Sequence, residues 1–317
     1  MVAPAFEYVA AGGYDEAVRL LADGGDEAKI LAGGQSLMPM LNLRLAHPEL
    51  LIDINAADDR QPSVADGMLV LPALTRHRVL LEHDLVRRHC PLLAAAVRHV
   101  GNVRVRNRGT VGGSLAHADP TSEIGSCALA TGARVVARGP GGDRTLPASE
   151  LFVSYWTTAL AESEIITDVL IPVGRPRQGW SFQEMVRRTS DFAIVAVAAL
   201  VELDEEADTI AAARVALAGV ADRVMLAGPD LLTGLTGATL AGGTGAGSTG
   251  PGSTGAGSTG AGGSGDDAAG AAAALIAGGL DPVDDVHASG EYRRRLVRVL
   301  TARALREAYA RATGAVA

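Results

Sequence analysis

The sequence predicts an α+β protein of two domains. Up to about residue 174, short strand-like and helix-like segments alternate, which favours a mixture of sheet and helix. Beyond that point the strand-like runs are longer, and two of them flank the acidic turn 204–208 as the arms of an antiparallel pair would. Helical spacing of apolar residues returns near the end of the chain, so we expect the second domain to combine an antiparallel sheet with helices.

The individual elements follow from the spacing of apolar residues and from the turn residues between them. In the first domain we predict strands at 28–31, 50–54, 68–71 and 134–137, and helices after Ser36 and near 75–82 and 91–100. In the second domain we predict strands at 180–187, 193–203 and 209–217, and helices at 268–277 and 289–312. The boundary is expected within 172–179, which gives domains at 1–175 and 176–317.

One segment differs in composition from the rest. Residues 233–265 are almost wholly Gly, Ala, Ser and Thr, and units such as AGSTG repeat from residue 246 onward. A tract without apolar periodicity cannot offset the entropy that ordering would cost. We therefore expect a flexible insertion in the second domain.

Composition excludes several classes of function. The formal net charge of −8 argues against nucleic acid as the main partner. Two cysteines, Cys90 and Cys127, are too few for a zinc or iron–sulfur ligand set and are expected to be packed thiols in a reducing compartment. The His117-x-Asp119 spacing lacks further nearby ligands, so no metal site is expected. The start of the chain has no signal-peptide pattern and no apolar run is long enough for a membrane span, so we expect a cytoplasmic protein.

Two glycine pairs carry the strongest chemical signal. A glycine pair costs backbone entropy, so its presence suggests a backbone that approaches something closely and offers N–H groups to an anion. Neither pair fits the G-x-G-x-x-G pattern or the P-loop pattern, and a nucleotide pyrophosphate is the natural candidate. Ser36 is a candidate N-cap for the helix that follows the first pair. The two loops are Ala32, Gly33, Gly34, Gln35 and Ser36, and Thr110, Val111, Gly112, Gly113 and Ser114.

Charged residues surround the second pair. Arg104, Arg106 and Arg108 precede it with the alternation of a strand face, and either contact phosphate or face solvent or a partner. Asp119 and Glu123 follow it, and carboxylates accept hydrogen bonds from sugar hydroxyls.

Other polar residues have simpler interpretations. Four of the seven histidines are expected at the surface or as helix caps. The segment 291–296 is expected to start a surface helix, with a subunit contact as the alternative. These histidines are His47, His77, His83 and His99.

Five strings in order carry a family resemblance. They are AGGQSLMPMLNLR, IDIN, ALTRH, RNRGTVGGSLAHADPTSE and ASGEYRRRLVRVLTARAL. Together they resemble the FAD-binding medium subunit of the molybdenum hydroxylases, the group that contains aerobic carbon monoxide dehydrogenase and bacterial xanthine dehydrogenases. The resemblance implies an oxidoreductase subunit with an FAD-binding domain of the PCMH type, which is vanillyl-alcohol-oxidase-like and has two subdomains. A C-terminal α+β domain like that of the carbon monoxide dehydrogenase flavoprotein would follow.

The resemblance also implies roles for particular residues. The two glycine loops would enclose the FAD pyrophosphate, and Glu123, in preference to Asp119, would hold flavin-nucleotide hydroxyls. The segment RRTSDFA, 187–193, would be a strand beside the isoalloxazine, with Phe192 where some relatives carry Tyr. Arg187 or Arg188 would favour the negative charge of the reduced flavin. No catalytic residue is implied in this chain, because the flavin supplies the chemistry.

Partners follow from the same resemblance. A large molybdopterin subunit would hold the molybdenum cofactor and a small iron–sulfur subunit would hold the clusters, in a dimer of heterotrimers. This chain would pass electrons from the small subunit through FAD to an external acceptor. Two alternatives stay open from the residues alone: a self-sufficient flavin-dependent oxidase or reductase, and a non-catalytic interaction subunit.

Overall fold

A computed structural model describes residues 4–240 and 266–316 and shows the expected α+β architecture. The strands are β1 (Glu7–Ala10), β2 (Ala28–Leu31), β3 (Leu50–Asp53), β4 (Ser63–Ala65), β5 (Met68–Pro72), β6 (Arg134–Gly139), β7 (Gly142–Pro147), β8 (Phe152–Ser154), β9 (Thr157–Thr158), β10 (Ile165–Pro172), β11 (Gln178–Met185), β12 (Val195–Leu203), β13 (Ile210–Ala218) and β14 (Met225–Leu226). The helices are α1 (Tyr14–Gly24), α2 (Leu37–Asn42), α3 (His77–Glu82), α4 (Asp84–His89), α5 (Pro91–Val97), α6 (Val103–Arg108), α7 (Val111–His117), α8 (Glu123–Thr131), α9 (Ala148–Leu151), α10 (Asp266–Gly278) and α11 (Gly290–Ala312). Two 3₁₀ segments lie at Gly25–Glu27 and Pro229–Leu235.

The first subdomain is a small parallel sheet covered by α1. Strands β1 and β2 both pair with β3, and Leu50 is opposite Glu7 on one side and Ala28 on the other. Helix α1 buries Tyr14, Ala17, Val18 and Leu21, which follow the 3.6-residue period of one helical face. This packing places the end of β2, and the glycine pair after it, at one edge of the subdomain.

The second subdomain is a five-stranded antiparallel sheet in the order β4-β5-β10-β6-β7. Helix α8 packs deep in this subdomain and buries every residue from Ile124 to Ala130. Cys90 and Cys127 lie in the same core as free thiols, and burial raises the pKa of Cys90 to about 11. The prediction of packed thiols is confirmed.

The C-terminal domain is a four-stranded antiparallel sheet, β11-β12-β13-β14, with α10 and α11 on one face. Along β12, Ala196 and Ala198 join the core that contains α8, while Val195 and Val197 join the core formed with α10 and α11. Both faces of this strand are therefore buried, which explains the uninterrupted apolar run that predicted it.

Two predicted features differ in the structure. The first part of the predicted flexible insertion, 233–240, is folded into the C-terminal domain. Leu235 and Leu240 are buried, and Gly237 donates its N–H to the carbonyl of Ile210. The remaining part of the tract, 241–265, lies outside the described residues. The strand predicted to reach Arg187 ends at Met185.

Arg104, Arg106 and Arg108 lie on helix α6, so their predicted arrangement on a strand face is wrong. The cause is Asn102, whose side-chain oxygen accepts from the N–H groups of Arg104 and Val105 and starts a helix at this point.

Candidate cofactor site

The two glycine segments lie against each other, although they are far apart in the sequence. The first lies between β2 and α2, where Gly34 has a φ of 70°. A Cβ added to Gly33 would lie 2.8 Å from the Cα of Gly109 and closer still to the carbonyl oxygen of Arg108. The two segments can therefore approach each other this closely only because residue 33 has no side chain.

The second glycine segment is the first turn of α7, whereas the sequence predicted a loop. Thr110 is its N-cap, and its hydroxyl accepts the N–H of Gly113 at 3.1 Å. A Cβ added to Gly112 would lie 2.5 Å from the Cβ of Ala73, so this glycine allows the helix to pack on the end of β5. Ser36 occupies the N-cap position of α2, as predicted, but its side chain makes no capping hydrogen bond.

Asn55 and Arg76 join the two glycine segments. The side-chain amide of Asn55 donates to the carbonyl of Ala32 at 2.8 Å. The Arg76 guanidinium donates both to the side-chain oxygen of Asn55 and to the carbonyl of Arg108. Both residues belong to strings that identified the family, but sequence reasoning gave them no role. The available signal was a polar residue directly after a buried strand.

His77 packs against the second glycine segment and makes hydrogen bonds to it. Its predicted place at the surface is wrong. It is buried, its backbone N–H donates to the carbonyl of Gly109 at 3.0 Å, and its Nε2 lies 3.2 Å from Oγ of Ser114. Burial lowers the pKa of His77 to about 4. The ring is therefore neutral near pH 7 and acts as a hydrogen-bonding support for Ser114.

The first segment offers hydrogen-bond donors to a ligand. Within the described part of the chain, the backbone N–H groups of Gly33, Gly34, Gln35 and Ser36 donate no hydrogen bond. Four consecutive free donors beside a helix N-terminus, with a second helix N-terminus in contact, match what a pyrophosphate requires. The residues present therefore fit the phosphate part of FAD.

The arginines before the second segment have separate roles. Arg106 donates to the carbonyls of Val100 at 2.9 Å and Gly101 at 3.0 Å. These bonds satisfy backbone carbonyls in the turn that follows α5. Arg104 and Arg108 have exposed side chains on α6.

Asp119 and Glu123 follow α7 in two different environments. Asp119 accepts from the N–H of Thr121 at 2.7 Å and from its hydroxyl at 2.6 Å, which forms a tight turn. Burial raises the pKa of Glu123 to about 8, and the charges of Glu184 and Asp119 add to the rise. The predicted carboxylate is thus mainly a neutral acid near pH 7, which can donate as well as accept.

Glu184 is a buried carboxylate near Glu123 that pairs with the partly exposed His99. Its side chain is only 3% exposed, and its Oε2 lies 2.9 Å from Nδ1 of His99. This hydrogen bond raises the pKa of His99 and favours its charged form. His99 therefore balances the charge of Glu184, and Glu123 can remain protonated beside the pair.

The segment 187–193 is a loop, so its prediction as a strand is wrong. The backbone leaves the sheet after Met185, and Ser190 has a φ of 73°, which an extended strand does not allow. Phe192 is 75% exposed at the tip. Asp119, Arg187 and Phe192 line one pocket of about 340 Å³, to which Trp156 also contributes. The structure therefore places the predicted residues in two groups, the joined glycine segments and this pocket, with Glu123 lining neither.

Arg293 lines that pocket. Helix α11 starts in the predicted segment and exposes Glu291 and Arg295, but Arg293 itself is buried. It is 5% exposed and donates to the carbonyls of Ile194 and Gly219, the latter at 2.7 Å. It also pairs with Asp285 at 2.6 Å. Its charge thus fixes the start of β12 to the end of β13.

In 4–240 and 266–316, no set of three or more His, Cys, Asp or Glu side chains is placed to hold a metal ion. In the same ranges no helix has the length and apolar character to cross a membrane.

Two domain families match the sequence. Residues 4–174 match the FAD binding domain in molybdopterin dehydrogenase, and residues 180–244 match the CO dehydrogenase flavoprotein C-terminal domain.

Two similar proteins match the chain, one over almost its whole length and one over about two thirds of it. It is 37% identical over 317 residues to the 6-hydroxypseudooxynicotine dehydrogenase complex subunit alpha of Paenarthrobacter nicotinovorans, covering 98% of this chain and 97% of the relative. It is 38% identical to the carbon monoxide dehydrogenase medium chain of Hydrogenophaga pseudoflava, over 70% of this chain and 77% of the relative.

Solved structures give the same result. Carbon monoxide dehydrogenase from Hydrogenophaga pseudoflava, in a form that lacks the Mo-pyranopterin moiety, superposes with a TM-score of 0.87 at 32% identity, covering 98% of this chain and 99% of that one. Quinoline 2-oxidoreductase from Pseudomonas putida 86 gives a TM-score of 0.85 at 31% identity, with the same two coverages. The chain therefore belongs to the FAD-binding medium subunits of the molybdenum hydroxylase family, and its cofactor is FAD.

Proposed function

We propose that this subunit holds the FAD pyrophosphate between its two joined glycine segments and passes electrons from an iron–sulfur subunit to an external acceptor. The observation that carries the proposal is the contact between Gly33 and the backbone of Arg108 and Gly109, beside four free N–H donors. The residues proposed to bind FAD are Ala32, Gly33, Gly34, Gln35, Ser36, Thr110, Val111, Gly112, Gly113, Ser114, Asp119, Glu123, Arg187 and Phe192.

FAD, when bound, supplies the redox chemistry by accepting electrons and releasing them again. The chain's own residues bind and orient it. The N–H groups of 33–36 and the Thr110 hydroxyl donate to phosphate, and His77 holds the Ser114 hydroxyl in place. Glu123 holds a proton and could donate it in a hydrogen bond to a nucleotide hydroxyl, and Phe192 offers an exposed ring that could stack on the cofactor.

The proposed assembly contains a large molybdopterin subunit and a small iron–sulfur subunit, as a dimer of heterotrimers in the cytoplasm. The names of the relatives support an assembly of several subunits: carbon monoxide dehydrogenase of Hydrogenophaga pseudoflava has a medium chain, and nicotine 6-hydroxylase of Paenarthrobacter nicotinovorans has a medium subunit.

A pair of glycine variants tests the site. Gly34 and Gly67 both have a φ of 70°, so aspartate strains the backbone at either position. At Gly34 an added Cβ would also lie 3.2 Å from the side chains of Leu31 and Met38, whereas at Gly67 it would meet nothing within 4 Å. Only Gly34 lies among the free donors, where a carboxylate repels phosphate. We expect the native complex to contain one FAD per chain, Gly34→Asp to lose most of it, and Gly67→Asp to keep it, as measured by flavin absorbance and by released cofactor. A native complex without FAD, or full FAD in Gly34→Asp, contradicts the proposal.

A further inference from the structure

A surface beside the second glycine segment concentrates positive charge in an acidic protein. Residues 76–108 contain eight arginines and only two acidic residues, Glu82 and Asp84, whereas the whole chain has a formal net charge of −8. Six of these arginines come from the start of α3, the end of α5 and the length of α6, and together we call them the arginine patch. They are Arg76, Arg78, Arg98, Arg104, Arg106 and Arg108.

The arginine patch is one continuous surface. Helix α6 packs against α3. Burial lowers the pKa of Arg76, and the positive charges of Arg108 and Arg78 lower it further, so these three guanidinium groups lie close together. Arg106 reaches the end of α5, where it donates to the carbonyl of Arg98 at 3.4 Å. The patch therefore extends from α3 across α6 to the end of α5.

Several members of the patch have donors to offer. The side chains of Arg78, Arg98 and Arg104 are exposed and, within the part of the chain that the structure describes, make no hydrogen bond or ion pair. The planar guanidinium group matches a carboxylate through two parallel hydrogen bonds. Neighbouring cations without a counter-ion also repel one another, so an acidic partner would relieve repulsion as well as form contacts.

The composition of the patch favours a transient protein partner. Within 76–108, Val103 is the one large apolar side chain that is exposed. Permanent subunit interfaces are apolar at their centre, whereas electron-transfer encounters are small, polar and steered by charge. An anionic membrane also attracts arginine, but membrane-surface binding depends on apolar side chains that insert, and one valine does not supply them.

The patch borders candidate cofactor residues at both ends. At one end, the carbonyl oxygen of Arg108 lies against Gly33. At the other end, His99 directly follows Arg98. Burial raises the pKa of Glu123, and this carboxyl is close enough to His99 for the charge of the imidazole to oppose the rise. A protein docked on the patch would therefore lie beside the cofactor site.

We propose that the arginine patch docks the external electron acceptor, that this acceptor is a redox protein with an acidic surface, and that Arg78, Arg98 and Arg104 are binding residues for it. The inference rests on the proposed function, because the electrons come from FAD. Two molecules of a one-electron acceptor protein each take one electron from fully reduced FAD, and the two protons go to water. The patch residues take no part in the chemistry and only position the acceptor.

Binding is tested with two forms of one redox protein. Native cytochrome c is basic, and succinylated cytochrome c is acidic because its modified lysines carry carboxylates. Each form is titrated into the native complex with oxidised FAD, and calorimetry measures the dissociation constant. The patch variant, which combines Arg78→Gln, Arg98→Gln and Arg104→Gln, is expected to bind succinylated cytochrome c about tenfold more weakly than wild type, the size of a few exposed ion pairs.

A control variant separates the patch from the overall charge of the protein. It combines Arg295→Gln, Arg298→Gln and Arg303→Gln, which remove the same charge from exposed positions on α11. The control is expected to bind succinylated cytochrome c as wild type does. Both variants are expected to keep the wild-type FAD content and the wild-type subunit composition.

Electron transfer is tested by reducing the complex with stoichiometric dithionite and following flavin reoxidation. Succinylated cytochrome c is expected to reoxidise the flavin faster than native cytochrome c at low ionic strength. This advantage is expected to shrink between about 0.01 M and about 0.15 M salt, because the Debye length falls from about 30 Å to about 8 Å. The patch variant is expected to lose most of the advantage, and the control variant is expected to keep it.

Four results overturn the inference. Two are equal binding of succinylated cytochrome c by the patch variant and wild type, and faster reoxidation by the native form than by the succinylated form. The third is loss of a subunit from the patch variant, which would assign the patch to a permanent interface. The fourth is binding to phosphatidylglycerol vesicles by wild type but not by the patch variant, which would assign it to a membrane. Cytochrome reduction that continues unchanged after removal of FAD refutes the proposed function instead, so the two failures are distinguishable.

Discussion

Arg76 bridges the two glycine segments through hydrogen bonds. Its guanidinium reaches Asn55 on the side of the first segment and the Arg108 carbonyl on the side of the second. Hydrogen bonds from a charged donor are stronger than neutral ones, and removing the donor leaves two acceptors unsatisfied.

Arg76→Ala is therefore expected to lower the free energy of unfolding by about 1.5–3 kcal/mol and to weaken FAD binding. Chemical denaturation and FAD titration measure the two effects. Arg78→Ala, an exposed arginine on α3, is the control and is expected to change neither. Equal effects of the two variants would show that Arg76 does not join the segments.

Glu123 gives the protein a characteristic pH dependence. Its pKa is about 8 in the folded chain and 4.5 as an unperturbed group, so the folded state binds more protons between these values. Stability must then fall as the pH rises from about 4.5 through 8, because the unfolded chain ionises this group first.

Glu123→Gln is expected to remove this loss, so that its stability relative to wild type rises steadily across that range. Urea unfolding at a series of pH values measures the difference. Glu162→Gln, at an exposed position, is expected to run parallel to wild type. A constant difference between Glu123→Gln and wild type would refute the assignment.

At the level of elements, the start of α7 shows two opposing effects of one substitution. Alanine in place of Gly112 would gain about 1 kcal/mol of helix propensity. The added methyl group would also lie 2.5 Å from the Cβ of Ala73 and 3.0 Å from its backbone. Overpacking of this kind costs about 1–3 kcal/mol, so the clash is expected to prevail.

Gly112→Ala is accordingly expected to lower the thermal midpoint and the FAD content together. Gly141→Ala, in a turn where an added Cβ meets nothing within 4 Å, is expected to change neither. Thermal unfolding and flavin absorbance measure the stability and the FAD content of the two variants. A Gly112→Ala variant more stable than wild type would show that helix propensity outweighs the clash.

Helix α11 carries a buried charge, Arg293, that anchors it to the sheet through hydrogen bonds. Arg293→Ala leaves the carbonyls of Ile194 and Gly219 without their donor, and loss of one partner from a buried polar group set costs about 3–5 kcal/mol. Arg295→Ala, 69% exposed on the same helix, is expected to cost less than about 1 kcal/mol. Denaturant unfolding of both variants checks the difference, and similar midpoints would contradict the anchoring role.

For the whole molecule, periodicity predicted about half of the strands and helices in the described residues, those whose apolar residues follow a regular face. The β12 run and the α11 pattern were found within a few residues. The strand ends and the helix α6 were not, because Asn102 capping and the positive φ of Ser190 are decided by local side-chain and backbone conformation. His77, Arg76 and Arg293 were missed or misplaced because their burial depends on residues distant in sequence.

The glycine pairs were expected to let the backbone approach an anion, but two of the glycines allow close packing within the protein instead. Gly33 and Gly112 are required by contacts within the protein, and the free N–H groups of 33–36 are what a phosphate can use. Sequence alone could not separate these two roles, because close packing within the protein and close approach to a ligand both require a residue without a side chain.

The central claim is that the FAD pyrophosphate lies between the two glycine segments. A crystal structure of the native complex with FAD bound tests it most directly. The account predicts phosphate oxygens about 2.7–3.2 Å from backbone nitrogens of 33–36, with the Thr110 hydroxyl also in contact. FAD phosphates bound elsewhere, with the N–H groups of 33–36 facing solvent or protein, would contradict it.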